Sequence, residues 1–241
     1  KGKVHQITIG YIGFVPPQVM QWDKNNLEAR VKAKDIVDMA NHYVPMMKAE
    51  GADIIIAIPH SGLVTSERLG GDENASFYLS QVDGIDAIMF GHAHQNFPGH
   101  SNYDDLAGVD NVKGTINGVA AVMPGYWGKY LGYIDLTLEK SADDIWSVVD
   151  SESILKPISQ SNPDRSVTSL VESHAGIVEA VQHDHELVNT WVSEPFAKIS
   201  QPINSFFALV QDDPSIQVVT DAQTWYVKTI VKGTELENIP I

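Results

Sequence analysis

The sequence predicts an α/β fold that passes into a long helical segment. Two continuous apolar runs, residues 53–58 and 85–90, are separated by a helix-sized stretch. Such runs suit strands buried on both faces of a sheet, and strand, helix, strand favours parallel neighbours. A hairpin pattern follows across 131–153. From residue 166 the apolar spacing turns helical.

In chain order, residues 4–15 alternate and are β-branched, which predicts a strand ended by Pro16-Pro17. Residues 22–26 read as a loop. From Val31 to Lys48 the apolar residues recur at helical spacing, and Pro45 is expected to end or kink that helix early. After the 53–58 strand come Pro59-His60-Ser61-Gly62, a polar loop and a helix at 73–81. The 85–90 strand leads into Gly91-His92-Ala93-His94. A further strand spans 118–124, and the runs 131–139 and 145–153 form a hairpin around Ser141-Ala142-Asp143-Asp144. Over 166–191, Val167, Leu170, Val171, His174, Ile177, Val178, Val181, Val188 and Trp191 form one helical stripe. A second helix is expected over 214–232, with Pro214 in its first turn behind Asp212-Asp213 as capping residues. Asn162-Pro163-Asp164 punctuates the chain, so a domain boundary is placed there, giving 1–163 and 164–241.

The composition narrows the function classes. The 241 residues carry a formal net charge of -15 without a basic cluster, so a nucleic-acid polymer is not an expected partner. A small phosphate ester stays possible, because a bound cation reverses the local field. No apolar run approaches the roughly 18 residues of a membrane helix, so no membrane contact is expected. There is no cysteine, which excludes disulfides and thiolate ligands. The start at Lys1-Gly2-Lys3, without Met or leader, and the end at Ile239-Pro240-Ile241 are those expected of a piece of a longer protein.

The chemistry concentrates where two strands end in histidine. Ligands collect at the carboxyl ends of strands in α/β sheets. If the strands are neighbours, His60, His92 and His94 converge. An extended loop points His92 and His94 to one side, with Gly91 allowing a tight turn. Neutral imidazole suits Zn, Mn, Fe and Ni, and three histidines with an open position also match a mononuclear zinc site. The competing reading is three hydrogen-bonding loop histidines.

These residues resemble a family. Pro59-His60-Ser61-Gly62 paired with Gly91-His92-Ala93-His94, followed by Phe97-Pro98-Gly99, is similar to the calcineurin-like metallophosphoesterases of the 5′-nucleotidase group. The longer stretches HAHQNFPG, IGYIGFVPPQVMQWDK, NGVAAVMPGYWGKYLGYIDL and FFALVQDDPSIQVVTDAQTWYVK resemble the branch acting on nucleoside 2′,3′-cyclic phosphates and 3′-nucleotides. The resemblance implies a β-sandwich of two sheets flanked by helices. Residues 1–163 would be the later portion of the catalytic domain. Residues 164–241 would be a long linking helix and the start of the next domain.

It also implies two divalent metal ions (Mn, Zn, Fe or Co), with His60 and His92 on one and His94 on the other, a small-molecule nucleotide substrate and a periplasmic setting. Ser61, Gln95 and Asn96 are either supports behind the ligands or residues that fold the loop. The family's Asp-x-His, its bridging Asp and its Gly-Asn-His-Glu segment are absent, so no catalytic residue is assigned within this chain. An incomplete metal site is expected from it alone. Asn41-His42, the chain's one Asn-His pair, lies in a helix and is set aside. Two alternatives stay open: a 5′-nucleotidase or sugar-nucleotide hydrolase of the same group, or an inactive metal-binding fragment. Oligomeric state is not legible.

Other candidates have plainer readings. His183-Asp184-His185-Glu186 lies on a helix, where residues two apart face differently, so a solvated face is expected. His174 is expected at the core boundary of the stripe. His5 and His100 show no partner. Tyr126-Trp127 reads as packing at a strand end or as a wall of a substrate cleft.

Overall fold

The computed structural model describes residues 2 and 4–240. They form two compact units, one up to Glu172 and one from Ser173. In the first unit β1 (Ile9–Phe14) leads through two short helices, α1 (Val19–Trp22) and α2 (Lys24–Leu27), to α3 (Ile36–Ala49). Then come β2 (Ile54–Pro59), α4 (Ser76–Leu79), β3 (Ala87–Met89), β4 (Asn96–Phe97), β5 (Val109–Asp110), β6 (Thr115–Ile116) and β7 (Val119–Pro124). The unit closes with β8 (Tyr130–Lys140), β9 (Trp146–Pro157), β10 (Ser159–Ser161) and β11 (Val167–Ser169). The second unit holds α5 (Ala175–Ser193) and α6 (Pro214–Val231).

The main sheet runs β1-β2-β3-β7-β6-β5. Its first four strands are parallel, in registers such as Ile9 with Ile54, Ile56 with Ala87 and Ala87 with Ala120. The β-branched run of β2 explains its central place. Ile55 and Ala57 face α3, whose Ile36, Val37, Ala40 and Val44 are buried against that side. Ile54 and Ile56 face the other way, beside Ala87 and Ala120, and the β8–β9 hairpin covers them with Ile134, Leu136, Leu138, Trp146 and Val148. Period two along one strand thus fills two cores at once. The expected sandwich is present as this sheet plus the hairpin, with α3 on the outer face of the sheet.

The elements depart from expectation in instructive places. The first strand begins at Ile9, because its partner β2 starts at Ile54; just before it the Thr8 carbonyl accepts from the Asp53 N–H and the Thr8 N–H donates to the Asp53 carboxylate, both at 2.8 Å. Residues 22–26 are parts of two single-turn helices, not a loop. Helix α3 starts at Ile36 behind Asp35, which accepts from the Asp38 N–H at 2.9 Å. It also runs past Pro45 to Ala49. Four buried residues on one face outweigh the roughly 3 kcal/mol a mid-helix proline costs. Helix α4 is one turn long, because residues 73–75 bond to the segment after His60. Val167, Leu170 and Val171 are not helical. The turn at Asn162–Arg165 folds Val167–Ser169 back onto Ser159–Ser161 as an antiparallel pair. His174 is the N-cap residue of α5 and is exposed, without a side-chain capping bond. The expected helix at 214 forms as α6, and Asp213 caps it through the Ser215 N–H at 2.9 Å. Among the described residues no helix is long and apolar enough to cross a membrane.

Candidate metal centre

β2 and β3 are adjacent parallel strands, and their C-terminal ends carry the histidines. His60 directly follows Pro59, and its N–H donates to the Phe14 carbonyl at 2.9 Å, extending the β1–β2 ladder. His92 follows Phe90 and Gly91, and the Phe90 N–H donates to Val122 O at 3.0 Å. The strand ends are therefore pinned on both sides before the functional side chains leave them.

The structure brings His60 and His92 together. His60 Nε2 and His92 Nδ1 are 3.3 Å apart. Two nitrogens about 2.0–2.1 Å from one tetrahedral ion stand roughly 3.3 Å from each other. The pair therefore has the spacing of two ligands of one divalent ion, and imidazole nitrogen suits such ions. His94 does not join them. Its ring stacks on Tyr126, centroids 5.2 Å apart and planes 25° apart. Among the described residues no group of three or more His, Asp or Glu is arranged to hold a metal ion. The donor set on the page fits part of a metal site.

The loop geometry differs from the extended one expected. His92 and His94 both have left-handed backbones, φ 72° and 55°, with Ala93 between them. Gly91 is not the residue in that conformation. A non-glycine residue at positive φ costs on the order of 1 kcal/mol or more and persists only where the surroundings impose it. Here the Ala93 N–H donates to Gly91 O at 2.9 Å, and Gln95 O accepts from the Gly125 N–H at 3.1 Å.

The segment after His60 is laced to residues 73–76. Ser61 is fully buried; its hydroxyl donates to Glu73 O at 2.7 Å and accepts from the Ala75 N–H at 2.7 Å. The Gly62 N–H donates to Asn74 Oδ1 at 3.0 Å, and the Ser76 hydroxyl donates to Ser61 O at 2.8 Å. Ser61 thus folds the loop. A Cβ on Gly62 would collide with the Asn74 amide oxygen, so a side chain there would displace the group that accepts from the Gly62 N–H.

Two hollows flank the histidines. One of about 450 Å3 opens at the ends of β1, β2 and β3, with His60, Ile58 and Met89 in its wall. Another, of about 370 Å3, is lined by Asn74, Ala93, Gln95 and Tyr103. The Tyr103 hydroxyl is buried there without a hydrogen-bond partner among the described residues, and burial pushes its pKa up to about 12. Beside His94, Trp127 is 88% exposed and left-handed at φ 57°, so it is not strand-end packing. Lys129 lies over the Tyr126 ring at 4.1 Å.

Three other histidines find plain partners. His5 meets Trp146 edge-on at 5.6 Å. His100 accepts from the Asn102 N–H at 3.2 Å. His185 pairs with Asn189 at 2.9 Å on the exposed surface of α5.

Known proteins resemble this chain in sequence and fold. The chain is 48% identical, over its whole length, to the trifunctional nucleotide phosphoesterase protein YfkN of Bacillus subtilis, of which it spans 16%. It is 44% identical over its whole length to the 2′,3′-cyclic-nucleotide 2′-phosphodiesterase/3′-nucleotidase of Salmonella typhimurium, spanning 36% of that protein. The crystal structure of the calcineurin-like phosphoesterase YfkN from Bacillus subtilis matches 79% of the chain, with TM-score 0.69 and 43% identity, over 54% of the solved chain. The chain belongs to the calcineurin-like phosphoesterases. A Thermus sulfate thiohydrolase, SoxB, shares the fold at TM-score 0.51 and 18% identity, covering 78% of this chain and 28% of that one. No protein-family model matches the chain. The sequence spans well under half the length of these curated relatives.

Two residues near the histidines escaped the sequence reading. Glu73 and Trp22 both touch the His92 ring. Neither sits in a histidine motif, and no local pattern marks a residue 19 or more positions away as a neighbour.

Proposed function

We propose that this chain supplies part of the metal centre of a phosphoesterase that hydrolyses nucleoside 2′,3′-cyclic phosphates and 3′-nucleotides. The observation that carries the reading is the His60–His92 pair, 3.3 Å apart at the ends of two adjacent parallel strands. The names of the relatives that match the whole chain supply the substrate class.

In this reading His60 Nε2 and His92 Nδ1 hold one ion, and His94, across the loop, serves a second. Two divalent ions bound there would activate water for in-line attack on phosphorus and neutralise phosphoryl charge. The chain's own residues then have positional tasks. The strand-end hydrogen bonds fix where His60 and His92 start, and the Ser61 lacing holds the loop behind them. Tyr126 holds the His94 ring flat. The exposed Trp127 and the Lys129 ammonium form a rim suited to an aromatic, anionic substrate such as a nucleotide.

The same proposal takes residues 1–163 as the later part of the catalytic domain and 164–241 as the linking helix and start of a further domain. It takes the periplasm as the site of action; the support for both is the family resemblance.

The test is hydrolysis of 2′,3′-cyclic AMP with Mn2+, by this chain and by a longer protein extended N-terminally to restore the ligands that the family resemblance implies. Turnover by the longer protein alone is the expected result, and His60→Ala in it lowers kcat at least 100-fold. Turnover by the 241-residue chain overturns the partial-site reading.

A further inference from the structure

His92 is held on three sides. Its Nδ1 faces His60 Nε2 at 3.3 Å, its Nε2 meets Glu73 Oε1 at 2.5 Å, and the Trp22 indole stacks on the ring with centroids 5.4 Å and planes 20° apart. A carboxylate only accepts hydrogen bonds. The proton therefore resides on Nε2, and Nδ1 keeps its lone pair on the His60 side. His60 Nε2 can donate to that lone pair when no ion is bound, and both nitrogens lie at the spacing of two ligands when one is.

The Glu73 side chain is 40% exposed, but the backbone that carries it is pinned beside His60. Its backbone carbonyl accepts from the buried Ser61 hydroxyl at 2.7 Å, and the next two residues bond back to Gly62 and Ser61. Ser61 is the residue after His60. One hydrogen-bonded knot therefore anchors the backbone of both His60's neighbour and Glu73, whose carboxylate meets His92. The left-handed backbone at His92 gives the ring its position, but a backbone cannot choose between two tautomers. A carboxylate behind a ligating imidazole does both, fixing the ring's rotation and raising its basicity.

We infer that Glu73 is the positioning residue of His92, locking it as the Nε2–H tautomer so that Nδ1 is presented beside His60 to a divalent cation. The cation part of this inference rests on the function proposed above. The tautomer part stands on the metal-free geometry alone. Glu73 acts through His92 rather than on an ion, since its near oxygen is engaged by the imidazole.

The test uses the 241-residue chain and its Glu73→Ala and Glu73→Gln variants. Imidazole 15N–1H spectra, recorded without metal at a pH where the rings are neutral, report the tautomer of His92. The expected spectrum of the parent chain is a single Nε2–H form. Glu73→Ala shows exchange between both tautomers, whereas Glu73→Gln, whose side-chain oxygen still accepts, keeps the parent pattern. Calorimetric titration with Zn2+ then shows binding weakened about 10- to 100-fold by Glu73→Ala, with partial rescue by Glu73→Gln. A merely structural role would leave the tautomer unmoved. If Glu73→Ala fails to fold, the Gln variant and the parent spectrum still decide. Mixed tautomers in the parent chain, or a His92 signal unaffected by Glu73→Ala, overturn the inference. A locked tautomer in a parent chain that takes up no Zn2+ upholds Glu73 as the positioning residue and defeats the metal reading instead.

Discussion

Helices α3 and α5 carry the same kind of sequence and meet opposite fates. Each has an apolar stripe at helical spacing. In α3 the stripe is interior, with Ile36, Val37, Ala40 and Val44 all buried. In α5 no residue is buried, and Ile177, Val181, Val188 and Trp191 are each more than half exposed. Periodicity decides that a segment can be a helix with one apolar face. It does not decide what covers that face. The caps differ as well. Asp35 holds the first turn of α3 and also accepts from the Gly71 N–H at 2.6 Å and from Arg68 at 2.6 Å. His174 makes no capping bond to α5.

The largest test of this contrast is a matched pair of truncations. Ile36→Ala empties a site that is 1% exposed and is expected to lower stability by about 2–5 kcal/mol in urea unfolding. Ile177→Ala, at a site 64% exposed, is expected to change it by less than about 0.5 kcal/mol. Equal losses would show that α5 is covered in solution as α3 is.

A smaller effect follows from the cap. Burial pushes the Asp35 carboxyl up, but hydrogen bonds from the Asp38 and Gly71 N–H groups and from Arg68 outweigh it and hold its pKa below the ordinary value. A carboxylate depressed in the folded state stabilises above its unfolded pKa, near 3.9, and that contribution is lost as pH falls through the folded value. Asp35→Ala is therefore expected to cost about 0.5–2 kcal/mol or more at neutral pH. Its unfolding curve should converge on that of the parent chain in strong acid. A difference that persists at low pH would assign the role of Asp35 to packing rather than charge. Smallest of all, His174→Asp supplies the cap that α5 lacks and is expected to raise its helicity by about 1 kcal/mol or less, read by circular dichroism. No gain would mean that the first turn of α5 is held by other contacts.

Much of the fold was legible because its signals are local. The run at 54–57 alternates between two buried faces, and such a run has no reading other than an interior strand or a buried helix; its length and β-branching choose the strand. The Asp213-Pro214 start of α6 is equally local, since capping and the fixed proline φ act within one turn. The failures are also explicable. Val167, Leu170 and Val171 fit a helical period, but the Asn162–Arg165 turn gave them a strand partner, and pairing outranks periodicity for three residues. Pro45 breaks a helix in isolation and is overridden where four buried neighbours hold the segment.

The site divides along the same line. Residue type and strand position alone determined that His60, His92 and His94 stand at the ends of interior strands, because strand composition and a following glycine-rich turn are read over a few residues. The tertiary structure decided which of them meet. His60 and His92 are 32 positions apart, and Glu73 lies 19 from His92. Their contact depends on how two loops close over a sheet, and the free energy of that closure is spread over the Ser61 lacing, the left-handed turns and the packed strands beneath rather than written in any one motif.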